Sequence, residues 1–294
     1  MRIANPILDC VFKYLMEDAE SARVLISNII GEEIESLAVK PQENTVFTPA
    51  FMLTVYRLDY KAVIKTKEGE KKKVLIELQK GKQPFDVARF RRYLGENYST
   101  QDTDEDGILE SLPIITIYFL GFKLNIAKSV LKINRVYLDV VNNTVITEKS
   151  DFIELLSHNS YIIQIPYLPR ETQNKLERVL SVFSQKWVKE IPDGSIRFFD
   201  GDTDEEPDLK ILTNRLTQAA SSKEELAAIK AEEDLEADIV RFLRQTEKAI
   251  EEKEQIIEEK EQIIEEKEQI IQEEKRKNVE LLKEIELLKS RSKK

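Results

Sequence analysis

The chain has 294 residues, of which 34% are charged and 41% hydrophobic, and its formal net charge is −10. This length can bury a sizeable core, and the acidic balance argues against a protein that coats nucleic acid without specificity. The single cysteine, Cys10, excludes an internal disulfide framework, and the single histidine, His158, excludes paired-histidine metal chemistry within one chain. With no signal-peptide pattern and no apolar run of about 20 residues, we expect a cytoplasmic protein that does not cross a membrane.

The first 40 residues predict two helices followed by a strand. Asn5 and Pro6 are suited to begin a helix, as an N-cap and a proline in the first turn. A second helix is predicted over residues 19–30, because Gly31 can end it in a left-handed conformation. Residues 34–39 predict a strand at the edge of a sheet.

Two apolar segments, residues 58–64 and 74–80, predict a pair of strands joined by a polar hairpin loop. Each segment contains a carboxylate, Asp59 in the first and Glu77 in the second. A carboxylate on a core strand is costly unless it is paired or bound to a cation. Two carboxylates held together repel each other, and a divalent metal ion removes that penalty. Strand alternation places Gln79 on the same face as Glu77, so this face is the predicted metal site.

Further elements complete an α/β core downstream. A third helix is predicted over residues 84–98, an acidic loop over 99–107 and a buried strand over 114–120. A strand, a crossing helix and a parallel strand form an α/β unit. An amphipathic helix is predicted over 170–189 and a Gly- and Asp-rich linker over 191–207.

Positive charge is concentrated near the predicted site. Between Lys61 and Arg92 there are eleven lysine or arginine residues and four acidic residues, a local net charge of +7. This cluster is suited to contact phosphates. The alternative is a solvated hairpin tip followed by a solvated helix face.

The spacing of Asp59, Glu77 and Gln79 resembles the active site of the PD-(D/E)XK nuclease superfamily, with glutamine where many members have lysine. The segment 5–13, with Asp9, Phe12 and Lys13, is similar to the Asp-x-x-Phe-Lys opening helix of the recombination-promoting nuclease and transposase branch. Other matches to that branch are Ile76 to Gln79, the helix residues Arg89, Tyr93 and Tyr98, and the strand 113–120. The resemblance covers about residues 5–125, with a looser similarity to about residue 190. The acidic run 102–106 departs from the branch's glycine and tyrosine segment.

The resemblance implies a restriction-endonuclease-like core, a mixed central sheet flanked by helices. Asp59 and Glu77, with the main-chain carbonyl of Leu78, would hold Mg²⁺ or Mn²⁺, which prefer oxygen ligands. Gln79 has no ionisable group but can orient the attacking water through its amide.

Asp9 and Lys13 leave two interpretations open. Four residues apart on a helix, they can form a surface ion pair. Alternatively, Asp9 is a third acid near the metal, and Lys13 replaces the lysine that the motif lacks. The residues predicted to contact DNA are Lys80, Lys82, Arg89, Arg92 and Tyr93; Arg89 over Tyr93 is equally suited to simple packing.

The C-terminal tail contains Glu-Glu-Lys-Glu-Gln-Ile-Ile three times in succession, from Glu251 to Ile271. With Ile257 at heptad position a, the repeats place isoleucine at a and g and lysine at d, and Asn278 falls at a later a position. This pattern predicts a homo-oligomer through residues 246–294, with an off-centre coiled-coil seam. The alternative is a solvated single helix supported by Glu–Lys pairs.

These patterns predict an α/β nuclease-like domain over residues 1–190, a linker over 191–208, a helical connector over 209–245 and a heptad-repeat tail over 246–294. The predicted function is Mg²⁺-dependent DNA endonuclease activity, linked to mobile elements, recombination or phage defence. The alternative is a catalytically degenerate nuclease fold that acts as an oligomeric scaffold through its coiled coil.

Overall fold

A computed structural model of the chain describes residues 1–40, 43–47, 53–57, 60–81, 86–103, 109–187, 196–199, 203 and 206–291. The chain divides into two compact units, Met1–Glu232 and Glu233–Lys294. The strands are β1 (Arg2–Ala4), β2 (Ile34–Val39), β3 (Glu43–Phe47), β4 (Leu53–Arg57), β5 (Tyr60–Thr66), β6 (Lys71–Gln79), β7 (Asp102–Thr103), β8 (Leu109–Glu110), β9 (Ile114–Leu120), β10 (Val130–Ile133), β11 (Tyr137–Asp139), β12 (Thr144–Ile146), β13 (Asn159–Gln164) and β14 (Ile196–Phe198). The α-helices are α1 (Asp9–Glu17), α2 (Ala19–Ile30), α3 (Asp86–Ser99), α4 (Asp151–Leu156), α5 (Lys175–Leu180), α6 (Pro207–Ala219) and α7 (Lys223–Arg291). Short 3₁₀ helices cover Ile165–Tyr167, Ser181–Phe183 and Gln185–Trp187.

A six-stranded mixed sheet forms the centre of the first unit, in the order β10-β13-β9-β6-β5-β2. Strands β2, β5 and β6 are antiparallel neighbours, whereas β9 is parallel to β6 and β13 is parallel to β9. A parallel neighbour requires a crossover, and α3 lies in the chain between β6 and β9. The predicted α/β class with a mixed central sheet is therefore confirmed.

The two faces of this sheet have different partners, because side chains alternate along each strand. On one face, Ile76 of β6 belongs to the main core, together with residues of α1, α2 and α6. There Phe12 of α1 packs edge-on against Phe119 of β9, with ring centroids 5.6 Å apart. On the opposite face, Leu75 packs with Phe90 of α3 in a smaller cluster.

Several predicted elements agree closely with the structure. Helix α2 spans 19–30, and Gly31 ends it at a φ of 75°, donating its N–H to the carbonyl of Ser27. Strands β2 and β9 also occupy their predicted ranges. Helix α1 begins at Asp9 instead of near Asn5, since the main-chain carbonyl of Asn5 accepts the N–H of Leu8 at 3.1 Å in a preceding turn.

The first unit extends beyond residue 190, where the sequence placed the end of the nuclease-like domain. Strand β14, inside the predicted linker, pairs antiparallel with β1. Buried leucines of α6, in the predicted connector, join the main core: Leu209, Leu212 and Leu216. Within the predicted helix over 170–189, the described residues form α5 followed by two 3₁₀ turns, and residues 188–189 lie outside the described part.

The second unit is described as part of one helix, α7, which spans Lys223–Arg291. A long C-terminal helix was predicted and is present. The six isoleucines of the three repeats are each 49–58% exposed. None of the helices in the described part of the chain combines the length and apolarity that a bilayer crossing requires.

Candidate functional site

Glu77 lies on a central strand with only 3% of its surface exposed. It is next to Leu78 in β6 and opposite Tyr118 in β9. Alternation puts it on the face covered by α3, where Leu75 packs. Strand β6 continues to Gln79, which by the same alternation lies on the face of Glu77 and is half-buried. A carboxylate in this position needs compensation by hydrogen bonds or positive charge.

The wall around Glu77 is aromatic. The ring of Tyr118 packs against Phe90, with centroids 4.3 Å apart. Burial raises the pKa of Tyr118, and the charge of Glu77 raises it further. The phenol therefore keeps its proton at neutral pH, and its side-chain hydrogen bond is with Thr116.

Asp59, the proposed second metal ligand, lies outside the described residues, as does Lys82. The backbone of Arg89 is part of α3, but its side chain is likewise outside the described part. Among the described residues, no group of three or more His, Cys, Asp or Glu side chains is placed to hold a metal ion. Glu77 is thus the one proposed acidic ligand whose surroundings the structure describes.

A second buried charge shares the face of Glu77. Lys73, four residues earlier on β6, is 1% exposed, and its Nζ lies 2.6 Å from Oδ2 of Asp102. Asp102 belongs to β7, in the segment predicted as a loop. Burial, together with the like charge of Lys73, lowers the pKa of Lys61 on the neighbouring strand. Sequence reasoning assigned no role to this ion pair, although Lys73 interrupts the apolar pattern of β6.

Asp9 and Lys13 form an ion pair with each other one turn apart on α1, with their side chains 45% and 19% exposed. The structure therefore contains the pair that the surface interpretation requires. The role of Asp9 and Lys13 in catalysis stays a prediction.

Lys80 is held by a carboxylate that the sequence did not single out. It forms an ion pair with Glu232, near the start of α7. The same carboxylate caps α1: Oε1 accepts the N–H of Asp9 at 2.7 Å and Oε2 accepts the N–H of Cys10 at 2.9 Å. Burial opposes ionisation of Glu232, but the hydrogen bonds from Cys10 and Lys80 outweigh it and lower its pKa.

Most of the positive charge around the hairpin is already paired with carboxylates. Partners come from β2 and the turn before it, from β8, and from the hairpin itself. The ion pairs are Lys65–Glu35, Lys67–Glu33, Lys71–Glu110, Lys72–Glu32 and Lys72–Glu70. The local charge of +7 counted along the sequence is therefore largely neutralised in the folded chain.

Tyr93, predicted to contact DNA, is 2% exposed and packs with Leu75, Phe90 and Ile114. Its ring is part of the core between α3 and the sheet, which leaves little surface for a phosphate. Arg92, by contrast, is exposed on α3.

Strands β6 and β9 converge at their carboxyl ends. The N–H of Gly121 donates to the carbonyl of Gln79 at 2.7 Å. A Cβ at position 121 would collide with the main-chain oxygen of Lys80, so this approach requires glycine. Gly121 thereby fixes the end of β6 that carries Glu77 and Gln79.

A surface depression of about 510 Å³ lies elsewhere, against α2, α5 and α6. None of the predicted site residues lines it. Several charged groups in its wall are paired, as in Lys175 with Asp208 at 2.7 Å. Comparison with protein-family models, with curated proteins and with solved structures finds no match to this chain.

Proposed function

We propose that the chain is a DNA endonuclease that depends on Mg²⁺ or Mn²⁺, with a restriction-endonuclease-like core. The observation that carries the proposal is Glu77, a carboxylate buried to 3% exposure on central strand β6. The order of elements around it supports the resemblance: antiparallel β2, β5 and β6 are followed by α3 and a parallel β9.

The described pairing of β5 with β6 begins next to Glu77. Tyr60 pairs with Ile76 and Lys61 with Leu75. Asp59, the residue before Tyr60, lies outside the described residues, and its proposed role as a metal ligand rests on the resemblance alone.

Each proposed role belongs to a particular group. Glu77, Asp59 and the main-chain carbonyl of Leu78 would supply the oxygen ligands, and Gln79 would orient the attacking water through its amide. A bound divalent ion would supply charge neutralisation and a lowered pKa for water. Tyr118 and Phe90 keep bulk water away from the carboxylate, which strengthens its interactions.

A second candidate function is a non-cleaving scaffold that associates through the tail. Two observations favour it: the lysines of the hairpin are paired with carboxylates, and Tyr93 is buried. Both reduce the surface available to DNA phosphates. The link to mobile elements, recombination or phage defence rests on the resemblance alone.

Cleavage of supercoiled plasmid DNA by the purified full chain tests the proposal. We expect nicking that requires Mg²⁺ or Mn²⁺ and falls about 100-fold or more in Glu77→Gln and Asp59→Ala, since even groups that only orient metal ligands are worth about 10–100-fold. Glu148→Gln, at an exposed residue outside β6, is the matched control and should cleave normally.

Manganese binding, followed by calorimetry on the same proteins, separates the two candidates. Loss of both binding and cleavage in Glu77→Gln, with unchanged thermal unfolding, supports the nuclease. A wild-type protein that binds no manganese and cleaves no DNA identifies the scaffold instead.

A further inference from the structure

Charge is distributed unevenly along the tail. The three repeats, residues 251–271, contain nine glutamates and three lysines, a net charge of −6. The remainder, residues 272–294, contains eight lysines or arginines and five glutamates, a net charge of +3. The tail, whose residues up to Arg291 belong to α7, therefore has an acidic half followed by a basic half.

The same helix carries an exposed apolar stripe along both halves. In the acidic half, Ile264 is 56% exposed and Ile271 is 50% exposed. In the basic half, Leu281 is 55% exposed and Ile285 is 46% exposed. An exposed stripe of this length on a highly charged helix is typical of an interface with another helix.

We propose that α7 pairs with α7 of a second copy of this chain in the antiparallel direction. Parallel pairing would align two segments of net charge −6, which repel each other. Antiparallel pairing aligns each acidic half with the basic half of the partner, which is attractive and adds to burial of the stripe. The charge pattern thus selects both the partner and its direction.

The alignment of the two charged segments selects one of the registers that the heptad pattern allows. With Ile264 at position a and Leu281 at position d, an antiparallel pair centred between Gln272 and Glu273 sets these two residues in one layer. The same register places Glu268 and Lys275, both at position e, on facing flanks. These pairings occur twice, because the arrangement has two-fold symmetry.

The same register pairs two polar residues of the seam, while Lys260 shares a layer with Ile285 and Glu274 with Ile271. Asn278, at position a, shares a layer with Lys267, at position d. A polar layer of this kind lowers the stability of a coiled coil. This inference does not rest on the proposed nuclease activity. Its experiments measure association of the chains, so a protein that cleaves no DNA can still associate, and a protein that does not associate can still cleave DNA.

Disulfide trapping tests the direction in the full-length protein. In a Cys10→Ser background, which removes the only natural thiol, Ile264→Cys and Leu281→Cys are prepared separately and mixed under mild oxidation. We expect a crosslinked species only in the mixture. Crosslinking of either variant alone indicates parallel pairing and overturns the proposal.

The salt dependence of association in the unmodified protein also tests the antiparallel direction of pairing, without any substitution. Sedimentation equilibrium should show dimers whose dissociation constant rises severalfold as NaCl goes from about 0.01 M to about 1 M, over which the Debye length falls from about 30 Å to about 3 Å. A parallel dimer held by the stripe against acidic repulsion would tighten instead. A monomer at every concentration and salt level would also overturn the proposal.

Discussion

At the scale of single residues, Glu232 makes structural contacts that the sequence did not indicate. One carboxylate caps the start of α1 through the N–H groups of Asp9 and Cys10 and also pairs with Lys80. Because its pKa is below the ordinary carboxyl value of about 4.3, its stabilising contribution is complete above that pH. The contribution is lost as the pH falls through the lowered pKa.

Cys10 provides a local probe of this contact. Burial raises its pKa to about 12, with further increases from its hydrogen bond to Glu232 and from the charge of that residue. The thiolate is the reactive form, so we expect slow alkylation by iodoacetamide at pH 8. Glu232→Gln should accelerate the alkylation of Cys10 about tenfold for each unit by which the pKa of the thiol falls. It should also shift the pH dependence of the alkylation rate to lower pH.

Asp234→Asn is the matched control, because Asp234 is exposed on the same helix. In this variant, Cys10 should react with iodoacetamide as slowly as it does in the wild type. Equal labelling rates in Glu232→Gln and wild type would show that the carboxylate does not govern the thiol.

The Glu232 contact also shows why the site was only partly predictable. Glu77 stood out because a carboxylate within an apolar strand is unusual, and the strand period alone assigned its face. Glu232 is separated from Cys10 by 222 positions and lies in a charged segment that resembles any solvated helix. No local pattern distinguishes a glutamate that caps a distant helix from its exposed neighbours.

At the scale of elements, the ion pair between Lys73 and Asp102 joins β6 to β7 on the face of Glu77. The Lys73 side chain is 2% exposed and that of Asp102 is 15% exposed. Removing one partner of a buried pair leaves the other charge without its opposite charge, which costs about 3–5 kcal/mol. We therefore expect Asp102→Asn to lower the free energy of unfolding by about 3 kcal/mol.

A double-mutant cycle tests this expectation by urea unfolding. Lys73→Met with Asp102→Asn should recover most of the stability lost in Asp102→Asn alone, because no charge then remains buried at position 73. Additive losses in the double variant would show that the two residues act independently.

Elements with a strong local signal were predicted well, and those that depend on distant partners were not. Gly31 ends α2 at a positive φ, and the β-branched and aromatic residues of β9 favour a strand wherever it pairs. Strand β14 has three residues and exists through its pairing with β1, about 195 positions earlier in the chain. Its surroundings, rich in glycine and aspartate, have the composition of a linker.

At the scale of the whole molecule, the two units are stabilised by different means. The first unit has a core shared between the sheet and several helices. The described part of the second is a segment of α7 with an exposed stripe, and a helix without packing partners is only marginally stable. We expect its helicity to depend on association, whereas unfolding of the first unit should not depend on protein concentration.

The position of the isoleucine stripe around the helix can be changed by deletions, which test whether this stripe joins the chains. Deleting one repeat, residues 258–264, removes seven positions and leaves the isoleucine stripe continuous across the junction. Deleting five positions, residues 258–262, turns the downstream stripe by about 140° at 3.6 residues per turn. We expect the first variant to remain associated and the second to become monomeric in sedimentation equilibrium, although the second loses fewer residues. Circular dichroism at low and high protein concentration should then show concentration-dependent helicity in the first variant alone, with the same unfolding of the first unit in both. If the two deletions behave alike, the stripe is not the surface that joins the chains.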